Sequence, residues 1–215
     1  GQFAPREDLP EDGNYLLGKS RTVVVHEIVR GNWTWCTAWS PDGSRLAVAT
    51  ENHHLAIIDT NTSVWRVRHD QRITGPVRND TTHSIRAIAW GSQFIAIAGT
   101  GNAVSILFPS PPYEILHVLK GTGFVGSLDW KINSSVLAIG SRLDKAMIVK
   151  ISPLDDSRSG TGRQLQSDLL HTIMRKSWVN AVAFSPGGVF FCLGEGSGQL
   201  SVYRYGDMSM LASFT

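Results

Sequence analysis

The chain has 215 residues, of which 42% are apolar, 18% charged and 9% aromatic, a balance that supports a sizeable core and excludes a disordered chain. A net charge of +2, from 20 basic and 18 acidic residues, is too small to imply a nucleic-acid partner. No run of 18 apolar residues exists to span a membrane.

Residues 1–11 (GQFAPREDLPE) are charged and proline-containing, and read as an arm or linker. Residues 14–18 and the β-branched TVVVHEI of 22–28 then read as two paired strands. TWCTAW (34–39) alternates as a strand, and Ser40-Pro41-Asp42-Gly43 is a strong turn because Pro sets φ and Gly supplies positive φ. RLAVAT, LAIID and VWRVRH follow as strands, ending near residue 69. After a polar loop (70–83) come SIRAIAW, FIAIAG, AVSILF and YEILHVL, and then FVGSLDW, SVLAIG and KAMIVKI. Residues 152–167 are rich in Gly and Ser and read as a flexible insertion before DLLHTIM (168–174). WVNAVAF, VFFCLG, QLSVYRY and MSMLASF complete the chain. No stretch carries a long helical period, so the expectation is an all-β protein.

These strands repeat. AWSPDGSRLAVAT, AWGSQFIAIAGT, DWKINSSVLAIGS and AFSPGGVFFCLGE each place an aromatic residue (Trp39, Trp90, Trp130, Phe184) before a polar turn and a short apolar run. Self-similarity every ~40–50 residues in short strands is the mark of propeller blades. At these residues the chain resembles the WD-repeat family, across about residues 12–215, although the family's Gly-His and Trp-Asp pairs are replaced. The resemblance implies a β-propeller of four-stranded antiparallel blades, with units near 29–69, 83–119, 123–174 and 177–215. The strands in 14–28 would be the outer half of a further blade, so the chain reads as part of a larger propeller with both ends open, a closed four-bladed ring being the alternative.

Little in the sequence carries chemistry. His53-His54 would point to opposite faces of a strand, which is poor geometry for gripping a metal. No zinc-binding or nucleophile-elbow pattern is present, and Gly194-Glu195-Gly196-Ser197-Gly198 lacks the Lys of a phosphate loop. Asp59 and Asp129 are expected to bond within their own blades. Cys36 and Cys192 lie in non-adjacent units and read as free thiols suited to a reducing compartment.

The candidate partner-binding residues are Arg66, Arg68, Arg72 and Arg78, on an outer strand and the loop after it, with His53 nearby. Such a cluster suits an acidic peptide or a nucleic-acid backbone, or simply guards a sheet edge against pairing. The family resemblance implies a non-catalytic scaffold for protein–protein interaction in a multiprotein complex. No cofactor, metal, membrane or small-molecule substrate is expected, and the location is expected to be cytoplasmic or nuclear. A nucleic-acid-associated propeller is the alternative.

Overall fold

The polar turns that punctuate the sequence close hairpins, and the hairpins build four blades. The computed structural model describes residues 33–51, 53–62, 65–73, 84–154 and 164–215. Blade 1 comprises β1 (Thr34–Trp39), β2 (Arg45–Thr50), β3 (His54–Asp59) and β4 (Arg66–Arg72). Blade 2 comprises β5 (Ile85–Trp90), β6 (Ile95–Gly99), β7 (Ala103–Leu107) and β8 (Ile115–Lys120). Blade 3 comprises β9 (Val125–Trp130), β10 (Val136–Ser141), β11 (Lys145–Pro153) and β12 (Leu165–Met174). Blade 4 comprises β13 (Val179–Phe184), β14 (Phe190–Glu195), β15 (Leu200–Arg204) and β16 (Met210–Phe214). Each sheet runs in simple chain order and every pairing is antiparallel. Among the described residues there is no helix.

The described residues all belong to one compact unit. The strand pair expected in 14–28, and the arm before it, lie outside the described residues. So does the centre of the expected flexible insertion. Its flanks are strand instead: β11 continues to Pro153 and β12 starts at Leu165, because their backbones keep pairing.

The first turn of blade 1 is built as its residues demand. Gly43 adopts φ 69°, and its N–H donates to the Ser40 carbonyl at 2.9 Å. The Asp42 carboxylate accepts from Ser40 Oγ at 2.6 Å and from the Ser44 N–H at 3.0 Å. These bonds hold its pKa down from 3.8 to about 2. Ionised Asp42 therefore favours the folded turn above about pH 4, and that contribution is lost as pH falls through about 2. An NMR titration should place the Asp42 midpoint near 2; a midpoint at the ordinary value would show that the turn is not held this way.

The four anchor aromatics are structurally equivalent. Trp39 pairs with Leu46, Trp90 with Ile95, Trp130 with Leu137 and Phe184 with Phe191. Their burial is unequal, however. Trp130 is buried, Trp90 and Phe184 are half-buried, and Trp39 is 50% exposed. Trp130 shows the cause: its ring lies on the preceding blade, where its Nε1–H donates to the Ala89 carbonyl at 3.2 Å. A Cβ on Gly91 would stand 2.8 Å from that ring, so the absence of a side chain there makes room for it. Among the described residues no blade precedes Trp39, whose ring meets Trp65 of its own blade edge-on at 5.7 Å.

The core lies between blades rather than inside any one of them. In each of the three interfaces, small residues on the trailing face of one blade meet larger ones on the leading face of the next. Ala47 and Ala49 meet Ile88, Ile95 and Ile97. Ala87, Ala89, Ala96 and Ala98 meet Leu128, Trp130, Leu137 and Ile139. Ala138 and Ala146 meet Val182, Phe191 and Leu193. Small residues opposite large ones let two sheets interdigitate at close-packed density.

Side chains also bridge the innermost strands. Asp129 Oδ2 accepts the Phe184 N–H at 2.6 Å, and Ser127 Oγ accepts the Val182 N–H at 3.1 Å. These bonds satisfy backbone groups that the inner edge of β13 would otherwise leave unpaired. Asp129 thus bonds the Trp130 backbone of its own blade, as the sequence suggested, and also reaches the next blade, because β9 lies beside β13. Burial raises its pKa despite these bonds. Asp59 also bonds within its blade, to the Asn61 N–H and to Arg68.

Candidate interaction surfaces

The arginine-bearing strand is less of a cluster than its sequence implies. Arg66 pairs opposite Asp59 at one end of β4 and Arg72 opposite His54 at the other, about 20 Å away at the rise of a strand. A bulge between these ends places Arg68 where its Nε donates to Asp59 Oδ2 at 3.3 Å. His54 Nδ1 sits 3.0 Å from Asp70 Oδ1. His53 occupies the β2–β3 turn with φ 62° at the Arg72 end of β4, its carbonyl accepting from the Ile73 N–H at 2.8 Å. Arg78 lies outside the described residues.

A second surface was not singled out from the sequence. Every innermost strand carries a bulge just after its first residue, at Trp35, Arg86, Gly126 and Asn180. One residue ahead of each strand stand Trp33, Ser84, Phe124 and Trp178. Trp33 and Trp178 are 61% and 50% exposed. Arginines lie against these rings. The Arg86 guanidinium carbon sits 3.3 Å from the centroid of Trp35, which contacts Trp33 at 5.4 Å. The Arg142 guanidinium lies 4.0 Å from the Phe124 ring and 4.8 Å from Trp178. The signal was present in the repeats, six and four residues before each anchor, but such an offset gains meaning only once the strand ends are placed side by side.

Arg175 stands at the same end of blade 4. The sequence alone did not single it out. Its Nε donates to Glu195 Oε1 at 2.7 Å, and its other nitrogens donate to the Tyr203 hydroxyl, Gln199 Oε1 and Ser201 Oγ. The Glu195 side chain is 1% exposed. This network ties the loop after β12 to β14 and β15 and explains why a carboxylate is tolerated there.

A third surface is the trailing face of blade 4. By register, Leu200 corresponds to Val104 of blade 2 and Phe214 to Leu119. Val104 and Leu119 are buried by blade 3, whereas Leu200 is 41% and Phe214 56% exposed. Phe190 on the same face is 44% exposed. β13 packs beside β9 but is not packed beside β1 as consecutive inner strands are. Within residues 32–215 the blades therefore follow one another as an arc.

No protein-family model matches the chain, and neither does any curated protein. Solved structures do match. The β-propeller domain of Cps50 (Swd1) from Myceliophteria thermophila aligns over 89% of this chain and 57% of its own, at 14% identity and a TM-score of 0.65. U3-55K aligns over 87% of this chain and 53% of its own, at 14% identity and TM-score 0.67. A chain of the mitotic checkpoint complex aligns over 88% of this chain and 53% of its own, at 17% identity and TM-score 0.66. The chain thus spans little more than half the length of these structures. Repeats, blade topology and structural likeness agree: this chain has the fold of a WD-repeat β-propeller, with degenerate repeats.

Proposed function

We propose that the chain is a non-catalytic scaffold of a multiprotein complex, working through the faces and loops of its blades. The observation that carries this reading is the uncovered trailing face of blade 4. Phe190, Leu200 and Phe214 face solvent at positions whose counterparts in blade 2 are covered by the next sheet. Contiguous apolar surface of this kind marks an interface. Its occupant is a further four-stranded sheet of the same type, offering branched aliphatic and aromatic side chains, as in the three interfaces between blades. Such a sheet is supplied either by the same polypeptide or by a partner.

The structural neighbours give support by analogy: one of them is a chain of the mitotic checkpoint complex. On this reading Arg66 and Arg72 keep the outer edge of β4 charged and so discourage pairing with foreign strands. The test is the mass of the isolated 215-residue chain in solution, together with its melting. Self-association is expected, and F190S/L200S/F214S should relieve it. A monodisperse wild-type monomer that melts cooperatively and reversibly would refute the need for a cover.

A further inference from the structure

The guanidinium of Arg142 is held by aromatic faces and, among the described residues, meets no hydrogen-bond acceptor. It lies between Phe124 and Trp178. Rings satisfy its flat faces but leave its N–H edges unbound. Those edges match a carboxylate in bidentate fashion.

The platform beneath it is rigid. The Arg142 N–H donates to the Phe124 carbonyl at 2.8 Å, and Ser141 Oγ donates to the Thr122 carbonyl at 2.5 Å while accepting the Leu143 N–H at 3.0 Å. Leu143 lies over Gly123, where a Cβ would stand 2.4 Å from its side chain. The Gly196 N–H donates to the Trp178 carbonyl at 2.8 Å and fixes the other wall. Leu143, the next residue in the same turn, is 51% exposed and adds apolar surface beside the cation.

The charge around this end is predominantly positive. Lys120, Arg142, Lys145, Arg175 and Lys176 stand in or beside the turns, against Asp144 and Glu195, and Glu195 is already engaged by Arg175. The device recurs where Arg86 lies on Trp35 beside exposed Trp33.

We infer that the Phe124–Arg142–Leu143–Trp178 platform is a docking site for an acidic peptide segment, in which an Asp or Glu side chain engages Arg142 and apolar neighbours cover Trp178 and Leu143. This deepens the scaffold reading by naming the chemistry of one partner segment. A peptide is favoured over nucleic acid because exposed apolar side chains border the cation and the overall charge is only +2.

The test selects binders from a randomised 12-residue displayed peptide library on the 215-residue chain, in whichever assembled state it adopts. Selected peptides should be enriched in Asp or Glu next to apolar residues, and R142Q should weaken them roughly tenfold or more, the scale of a lost charge-assisted pair. R142K should rescue only part of this, since Lys lacks the planar fork. W178A should also weaken binding, whereas R204Q, in blade 4 beside Asp207, should not. Enrichment without acidic residues, equal binding by R142Q, or tighter binding of an oligouridylate than of any selected peptide would each overturn the proposal. Solution mass separates its failure from failure of the scaffold reading, because R142Q leaves the trailing face of blade 4 untouched.

Discussion

Trp130→Ala should destabilise the protein by roughly 3–5 kcal/mol, the scale for truncating a buried large aromatic. The ring is 8% exposed, rests on Gly91 and contacts Phe94 at 6.0 Å between centroids. Its removal opens a cavity at the junction of blades 2 and 3 and leaves the Ala89 carbonyl without its indole donor. The same truncation at the equivalent Trp39 should cost far less, because half of that ring already meets solvent. Denaturant unfolding of both variants checks this. Equal losses would show that the anchors are set by their own blades and not by contact between blades.

Arg175→Ala should cost a similar amount, roughly 3–5 kcal/mol, the range for removing one partner of a buried ion pair. The penalty comes mainly from what stays behind. The Glu195 carboxylate is 1% exposed and would lose its charged partner, while Gln199, Ser201 and the Tyr203 hydroxyl lose a shared donor. Replacing both partners, as Arg175→Met with Glu195→Leu, should recover most of the loss because no charge is then stranded. A double-mutant cycle measures this directly. A double variant as unstable as Arg175→Ala would show that the network serves packing rather than charge compensation.

The contrast between Trp130 and Trp39 bears on what a repeat alignment conveys. Both residues were legible as equivalent, since each precedes a turn and an apolar run, and their cross-strand register agrees. Their unequal burial was not legible, because an anchor is covered by the neighbouring blade. The arginines of β4 teach a related lesson. In sequence they lie within a few residues of one another, yet extended backbone separates Arg66 from Arg72, and a bulge gives Arg68 to Asp59.

The sequence by itself determined the elements: among the described residues, sixteen short strands, the turns between them and the grouping into four-stranded units. Those are local properties, written in β-branched runs, in the Pro and Gly of Ser40–Gly43 and in spacing along the chain. Only the tertiary structure decided which residues share a surface. Phe124, Arg142 and Trp178 come from a strand approach, a hairpin turn and the start of the next blade, and stacking of sheets brings them together. Likewise, Leu200 and Phe214 have the pattern of core residues and would read as buried. They face solvent because the core of this fold is made between sheets, so burial depends on the next sheet rather than on the strand's own pattern.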